Sequence, residues 1–226
     1  MDFKAGEIFA IDKPYRISSF GALAHVRYVL SRTLGYKVKI GHAGTLDPLA
    51  TGVLILCTGK ATKRIEEFQG QTKEYTATLQ LGATTASYDM EHAVNASFPT
   101  EHITRELIND TMPQFIGDIE QIPPTYSAVK VNGDRAYELR RAGEEVKLKP
   151  KHIHIDEIEV VDFDVEKMQL SLRVVCGKGT YIRALARDLG RALNSGAYLT
   201  ALRRTRVGDF TIDRCLDYEH IREWIE

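Results

Sequence analysis

Along this chain, hydrophobic and polar residues alternate in some stretches and recur at helical spacing in others. "GEIFAIDKP" (6–14) reads as a strand ended by Pro14, which has no N–H to give to a ladder. "SSFGALAHVRYVLSRTLG" (18–35) predicts a helix: Ser18 or Ser19 can cap it, Leu23, Val26 and Leu30 recur on one face, and Gly35 can stop it. A glycine-rich loop follows at 41–52. "VLILC" (53–57) is an apolar run suited to a buried strand, and "KATKRIEEFQG" (60–70) a short helix. "KEYTATLQLG" (73–82) alternates as a strand does, and 84–100 is polar and irregular, a predicted loop. "TRELINDTMPQFIG" (104–117) is helical up to Pro113. "IPPTYSAVKVNG" (122–133) is loop then strand, closed by an Asn-Gly turn at Asn132 and Gly133. "DRAYELRRAG" (134–143) is a short helix. "KHIHIDEIEVVDF" (151–163) and "QLSLRVVC" (169–176) are two alternating strands. "GTYIRALARDLGRALN" (179–194) is a helix, and "AYLTALRRTRVGDF" (197–210) a strand.

Strands and helices mix without strict βαβ alternation, so the class is α+β. No internal repeat, low-complexity segment or Pro/Ser-rich linker divides the chain, which reads as one domain over 1–226, with room for two lobes.

Composition narrows the classes further. A chain of 226 residues with 43% hydrophobic and 27% charged residues is an ordinary globular protein, long enough for a proper core. No window approaches the roughly 18 apolar residues of a membrane span. "MDFKAGEIFAIDKP" lacks the apolar segment of a secretory signal, so the expected location is the cytoplasm. Cys57, Cys176 and Cys215 are far apart, odd in number and without zinc spacing, as suits a reducing compartment.

The net charge of −1 hides an uneven distribution. From Asp12 to Arg64 there are nine Lys/Arg against two Asp/Glu, and from Arg173 to Arg206 eight against one. Thr85–Thr125 has one Arg against seven acids, and Val207–Glu226 two against six. Two basic blocks can form a face that attracts polyanions, or can be solvated helix faces.

"GHAGTLDPLATG" (41–52) has three glycines and a single carboxylate, Asp47, five residues after His42. It is no phosphate loop: the Lys of Walker A and the GxGxxG pattern are both missing. A lone acid here can cap a turn, bind a metal, or act as nucleophile or base. The next acids, Glu66 and Glu67, lie far along the chain, and hard cations want several oxygens. A buried nucleophile needs a cationic partner to stay ionised. Arg183, Arg187 and Arg191 are spaced by four, one stripe on the 179–194 helix. That stripe is either a solvated face or faces something negative: phosphates, Asp188 or a buried carboxylate such as Asp47.

"DKPYRISS", "GHAGTLDPLATGVL", "KEYTATLQLG", "GDIEQIPPTYSAVKVNGDRAYELRRAG" and "GKGTYIRALARDLG" followed by "LRRTRVG" occur in this order over nearly the whole chain. Together they resemble the TruB family of tRNA pseudouridine synthases. The resemblance implies a pseudouridine-synthase fold with a central, mixed, largely antiparallel sheet flanked by helices. It implies isomerisation of the uridine at position 55 in the tRNA T-loop, with no cofactor or metal. It makes Asp47 the catalytic nucleophile, attacking either C1′ of the ribose or C6 of the uracil. Arg183 matches the arginine that pairs with that aspartate, and Tyr75 the tyrosine that stacks on the target base. His42, Tyr181 and Leu202 match residues lining the nucleotide pocket.

Under that resemblance the base must be flipped out, at about a few kcal/mol. A stacking face such as Tyr75 returns about 1–3 kcal/mol. Lys13, Arg16, Lys60, Lys63, Arg203 and Arg204 become candidates for phosphate contact. The expected partner is the T-arm of tRNA, with no membrane, and the expected state a monomer. Two departures stand out. Bacterial relatives commonly carry a C-terminal PUA domain, which is expected to be absent here. "SYDMEH" (87–92) keeps Asp89 but has His92 where Gly is usual. The other readings are a non-catalytic RNA-binding or tRNA-folding protein on the same fold, a phosphate-handling enzyme, and a synthase acting on another RNA.

Overall fold

The computed structural model describes residues 1–127, 129–131, 133–143 and 146–225. In chain order the elements are β1 (Ile8–Lys13), α1 (Ser19–Leu34), β2 (Ile40–Ala43), β3 (Thr51–Thr58), α2 (Ile65–Gly70), β4 (Lys73–Leu81), β5 (Ala83–Thr85) and β6 (Val94–Ser97). Then come α3 (Arg105–Thr111), β7 (Gly117–Gln121), β8 (Lys130–Val131), β9 (Asp134–Arg135), α4 (Ala136–Arg141), β10 (Lys151–Asp164) and β11 (Gln169–Cys176). The chain closes with α5 (Ile182–Ala192), β12 (Ala197–Val207), β13 (Phe210–Thr211) and α6 (Ile221–Ile225). Residues 1–76 and 202–226 form one compact unit and residues 77–201 another. The class is α+β, as the sequence predicts.

In the first unit β3 is the hub. It pairs antiparallel with β1, from Ile8↔Cys57 to Lys13↔Gly52, and with β2, from Ile40↔Thr58 to Ala43↔Ile55. It runs parallel to β12 at Thr51↔Arg203 and Gly52↔Arg204. β3 is therefore covered on both faces, which is why it reads as a continuous apolar run. One face packs Ile11, Leu54 and Leu56 with Leu23, Val26 and Leu30 of α1 and Ile221 of α6. The other packs Val53, Ile55 and Cys57 with Ala61, Phe68 and Val207. Helix α1 begins and ends as predicted: Ser18 accepts from Gly21 N–H at 3.0 Å, and Gly35 closes it in the left-handed conformation.

In the second unit β10 is the long central strand, antiparallel to β11 on one side and to the edge strand β7 on the other. Leu170, Leu172 and Val174 of β11 and Ile153, Ile155 and Ile158 of β10 are buried. Gly190 of α5 lies against Ala197 at the start of β12, where a Cβ would run into the backbone. The described pairings are largely antiparallel; β3–β12 is parallel, as is the isolated bridge between Ile11 and Leu216.

Several boundaries differ from the sequence reading. The 41–52 loop is mostly strand at its ends: β2 takes its first residues and β3 its last two. The predicted loop at 84–100 contains the β5–β6 hairpin, whose β6 residues are all exposed and so leave no hydrophobic period to read. Strand β7 was hidden by its charged edge sequence "GDIEQ". Helix α6 was not predicted; its Trp224 packs on Phe3 and Phe9, with ring centroids 5.9 and 4.7 Å apart. Asn132 of the predicted Asn-Gly turn lies outside the described residues.

Candidate active site

Asp47 stands on the short connection from β2 to β3, and the chain ties that connection down from three directions. The Ala50 N–H donates to the Asp47 carbonyl at 3.0 Å, closing a turn with Pro48 at its second position. Ser19, buried at the start of α1, donates its hydroxyl to the Leu46 carbonyl at 2.9 Å and accepts the Leu46 N–H at 2.8 Å. The Pro48 carbonyl accepts the Arg16 N–H at 2.8 Å and the Lys13 ammonium at 3.4 Å. Arg204 donates to the Val53 carbonyl at 2.8 Å and the Gly44 carbonyl at 3.2 Å. The turn chemistry of an Asp-Pro pair is thus real, and it leaves the half-buried Asp47 carboxylate on a braced backbone rather than a floppy one.

The charges around this loop are buried cations. Lys13 is 0% exposed, and its ammonium also donates to the Pro14 and Ile17 carbonyls at 2.8 and 2.6 Å. Burial pushes its pKa down to about 8, and the Asp47 charge works against that fall. Arg204 is 1% exposed. His42, on β2, has its pKa lowered by burial first and by the Arg204 charge second, while a backbone interaction with Gly44 works the other way. Its imidazole is therefore biased toward the neutral form, and its Nδ1 is shut off from solvent.

Tyr181 and Arg183 belong to the second unit. Tyr181 caps α5, and the Gln121 amide clamps its backbone both ways: Tyr181 N–H donates to Oε1 at 2.8 Å, and Nε2 donates to the Tyr181 carbonyl at 3.2 Å. Arg183 is 4% exposed. It donates to the Ser87 and Tyr126 carbonyls at 3.1 and 2.9 Å, and its Nε lies 3.7 Å from Asp89 Oδ2. Asp89, in the "SYDMEH" stretch, also accepts from Ser87 and from the Glu91 N–H. Arg187 is buried as well, forked onto Asp188 at 2.8 and 3.0 Å and bonded to the Ile122 carbonyl. A solvated arginine face holds only for Arg191; the first two members of the stripe are interior.

Tyr75 lies on β4 in the first unit, on the same alternating face as the buried Lys73, and is 8% exposed. Leu202 is half-buried on β12, two residues before Arg204. The first unit thus holds His42, Asp47, Tyr75 and Leu202, and the second holds Tyr181 and Arg183.

The phosphate candidates divide. Lys13 and Arg204 are interior and brace the loop. Arg203 forks onto Asp12 at 3.2 and 2.7 Å. Arg16, Lys60 and Lys63 are exposed. The signal for Lys13 was present in the sequence: it continues the alternating buried face of Phe9 and Ile11. Ser19 was legible only as a possible cap of the first helix, and Gln121 carried no signal beyond its polarity. Among the described residues no three His, Cys, Asp or Glu side chains converge as a metal-ligand set.

Two family models match the chain: "TruB family pseudouridylate synthase (N terminal domain)" over residues 31–182, and "tRNA pseudouridylate synthase B C-terminal domain" over 183–226. The tRNA pseudouridine synthase B of Bacteroides thetaiotaomicron is 61% identical over 229 residues, covering 100% of this chain and 95% of the relative. That of Francisella philomiragia is 42% identical over 219 residues, covering 96% and 70%. Among solved structures, a Cbf5–Nop10–Gar1 complex matches with a TM-score of 0.72 and 28% identity, covering 99% of this chain and 56% of that one. An H/ACA RNP bound to a substrate RNA containing 2′-deoxyuridine matches with a TM-score of 0.69 and 25% identity, covering 99% and 54%. The chain spans just over half the length of those two solved chains.

Proposed function

The chain belongs to the TruB family of pseudouridylate synthases and is a tRNA pseudouridine synthase, and from that premise we propose that its target is the uridine at position 55 of the T-loop, with Asp47 as the nucleophile. The reaction breaks the N1–C1′ bond, turns the base, forms a C5–C1′ bond, releases the C5 hydrogen as a proton and leaves N1 protonated, so that the product is an isomer of the substrate. Asp47 attacks C1′ or C6, and in either case leaves again, so the enzyme is regenerated. Tyr75 offers the stacking face for the flipped base. His42, Tyr181, Arg183 and Leu202 bind the nucleotide. The chain acts as a monomer and as one catalytic domain over 1–226.

The observation that supports this reading best is the bracing of the Asp47 turn by Lys13, Arg16, Ser19 and Arg204. A nucleophile must be held in near-attack geometry, and a tethered turn does that where a free glycine loop does not.

The test is tritium release from a tRNA transcript carrying 5-tritiated uridine, with wild type and Asp47→Asn side by side. Release by wild type, mapped to position 55, and none above background by Asp47→Asn is the expected outcome. Equal release by the two would sink the nucleophile assignment, and release mapped to another uridine would sink the target.

A further inference from the structure

From Pro14 to Leu46 the chain has no Asp or Glu, yet it carries Arg16, Arg27, Arg32, Lys37 and Lys39. Three of these converge. Arg27 of α1 and Lys37 and Lys39 of the segment that follows it line one groove of about 260 Å³, together with Val38 and Ile40. Lys37 and Lys39 are exposed and Arg27 is half-buried. None of the three side chains makes a hydrogen bond or ion pair among the described residues, whereas Arg64, Arg173, Arg187 and Arg203 each have a carboxylate partner. Protein surfaces ordinarily intersperse the two signs, because like charges gathered without a counter-charge repel.

The groove also has a defined place. Ile40 opens β2, and His42 is the next residue on the same face of that strand. Two residues of strand put them roughly 7 Å apart. A polynucleotide that presents a nucleotide to the loop after β2 carries its neighbouring phosphates past this end of the strand.

We propose that the Arg27–Lys37–Lys39 groove is a phosphodiester-binding site that holds the RNA substrate's backbone beside the Asp47 loop. This rests on the reading of the chain as an enzyme acting on tRNA. Binding is electrostatic and carries no base information, so it raises affinity for any properly folded tRNA.

The experiment measures the affinity of full-length tRNA transcript across a salt series for wild type, for Lys37→Gln/Lys39→Gln, and for Lys151→Gln/Lys167→Gln. The last pair removes the same charge from exposed positions of the second unit. Both double variants change only exposed side chains, and a thermal melt checks that each is folded. The expected result is a Kd raised about tenfold at physiological salt for the Lys37/Lys39 variant. Its slope of log affinity against log salt falls by about 1.5, as two lost phosphate contacts require. The control pair moves neither by a comparable amount. An unchanged Kd and slope in the Lys37/Lys39 variant overturns the groove, as does an equal loss in the control, which would make the effect one of net charge. The reaction is scored separately by wild-type tritium release. Release with an unmoved Kd in the variant rejects the groove alone; tRNA binding that weakens in the variant without any wild-type release rejects the reaction alone.

Discussion

Arg16 has a backbone φ of +64°, in the left-handed region that a side chain enters at a cost of about 1 kcal/mol or more. Its N–H is committed to the Pro48 carbonyl, one residue past Asp47, so the turn dictates the conformation. Its guanidinium is exposed and lies over the Tyr15 ring, 5.4 Å from the centroid. Backbone strain and an exposed cation beside the Asp47 turn can be separated by substitution. Arg16→Gly removes both the charge and the strain; Arg16→Ala removes the charge alone. The glycine variant is expected to be more stable than the alanine variant by a few tenths to about 1 kcal/mol, the reverse of the usual order of these residues. Both are expected to bind tRNA more weakly than wild type, by similar factors. Chemical denaturation and tRNA titration read the two effects; an alanine variant more stable than the glycine one means the left-handed conformation is not populated.

At the scale of elements, the Asp47 connection owes its shape to contacts that come from far along the chain. Gly52 is the clearest case. It has a φ of +107°, and a Cβ on it would run into the backbone of Arg204, its parallel partner on β12. Gly35 also has a positive φ, +73°, but nothing lies within 4 Å of where its Cβ would be. Ser19→Ala would strand the Leu46 N–H and carbonyl in a buried site. The expected order of destabilisation is Gly52→Ala above about 3 kcal/mol, Ser19→Ala near 2, and Gly35→Ala near 1. Urea unfolding of the three variants gives the ranking, and a mild Gly52→Ala would mean that β12 does not approach β3 as closely as described. Gly35 was legible in the sequence because a helix stop is a local feature. Gly52 was legible only as a loop glycine, since the strand it must accommodate lies 152 residues later. Strand β6 escaped for another reason: all four of its residues are exposed, so it shows no period, and in the edge strand β7 the inward positions carry Gly117 and Gln121 beside Ile119, so its alternation is not one of apolar residues. Strands β4, β10 and β11, each with one buried face, were legible at once.

Across the whole molecule, the first unit carries 16 Lys/Arg against 13 Asp/Glu and the second 14 against 18; the Asp12–Arg64 block falls in the first unit, whereas the Arg173–Arg206 block is divided, with five of its eight cations in the second. Several cations of both blocks are, besides, interior. Lys13, Arg183, Arg187 and Arg204 serve carbonyls and carboxylates inside the protein, and sign alone does not tell a buried cation from a solvated one. Asp47, Tyr75 and Arg183 were therefore found as a motif, while the frame around Asp47 had to be seen in space. That frame has a consequence for pH. The Lys13 pKa falls from 10.5 to about 8, so above pH 8 the unfolded chain binds more protons than the folded one, and stability rises with pH. The slope approaches about 1.4 kcal/mol per pH unit for one full proton of difference. Cys57 and Cys215 act in the opposite sense. Burial raises their pKa values to about 11 and about 12, so above pH 9 the unfolded chain loses thiol protons that the folded one keeps. The stability contributed by these three groups thus climbs from pH 8 to about 9 and is turned back beyond it, with two thiols against one ammonium. Lys13→Met removes the climb and leaves the fall. Denaturation midpoints from pH 7 to 10 should show a rise between 8 and 9 in wild type and none in Lys13→Met; parallel curves for the two proteins would mean that the ammonium keeps its ordinary pKa, and with it a solvated site rather than a buried one under the Asp47 turn.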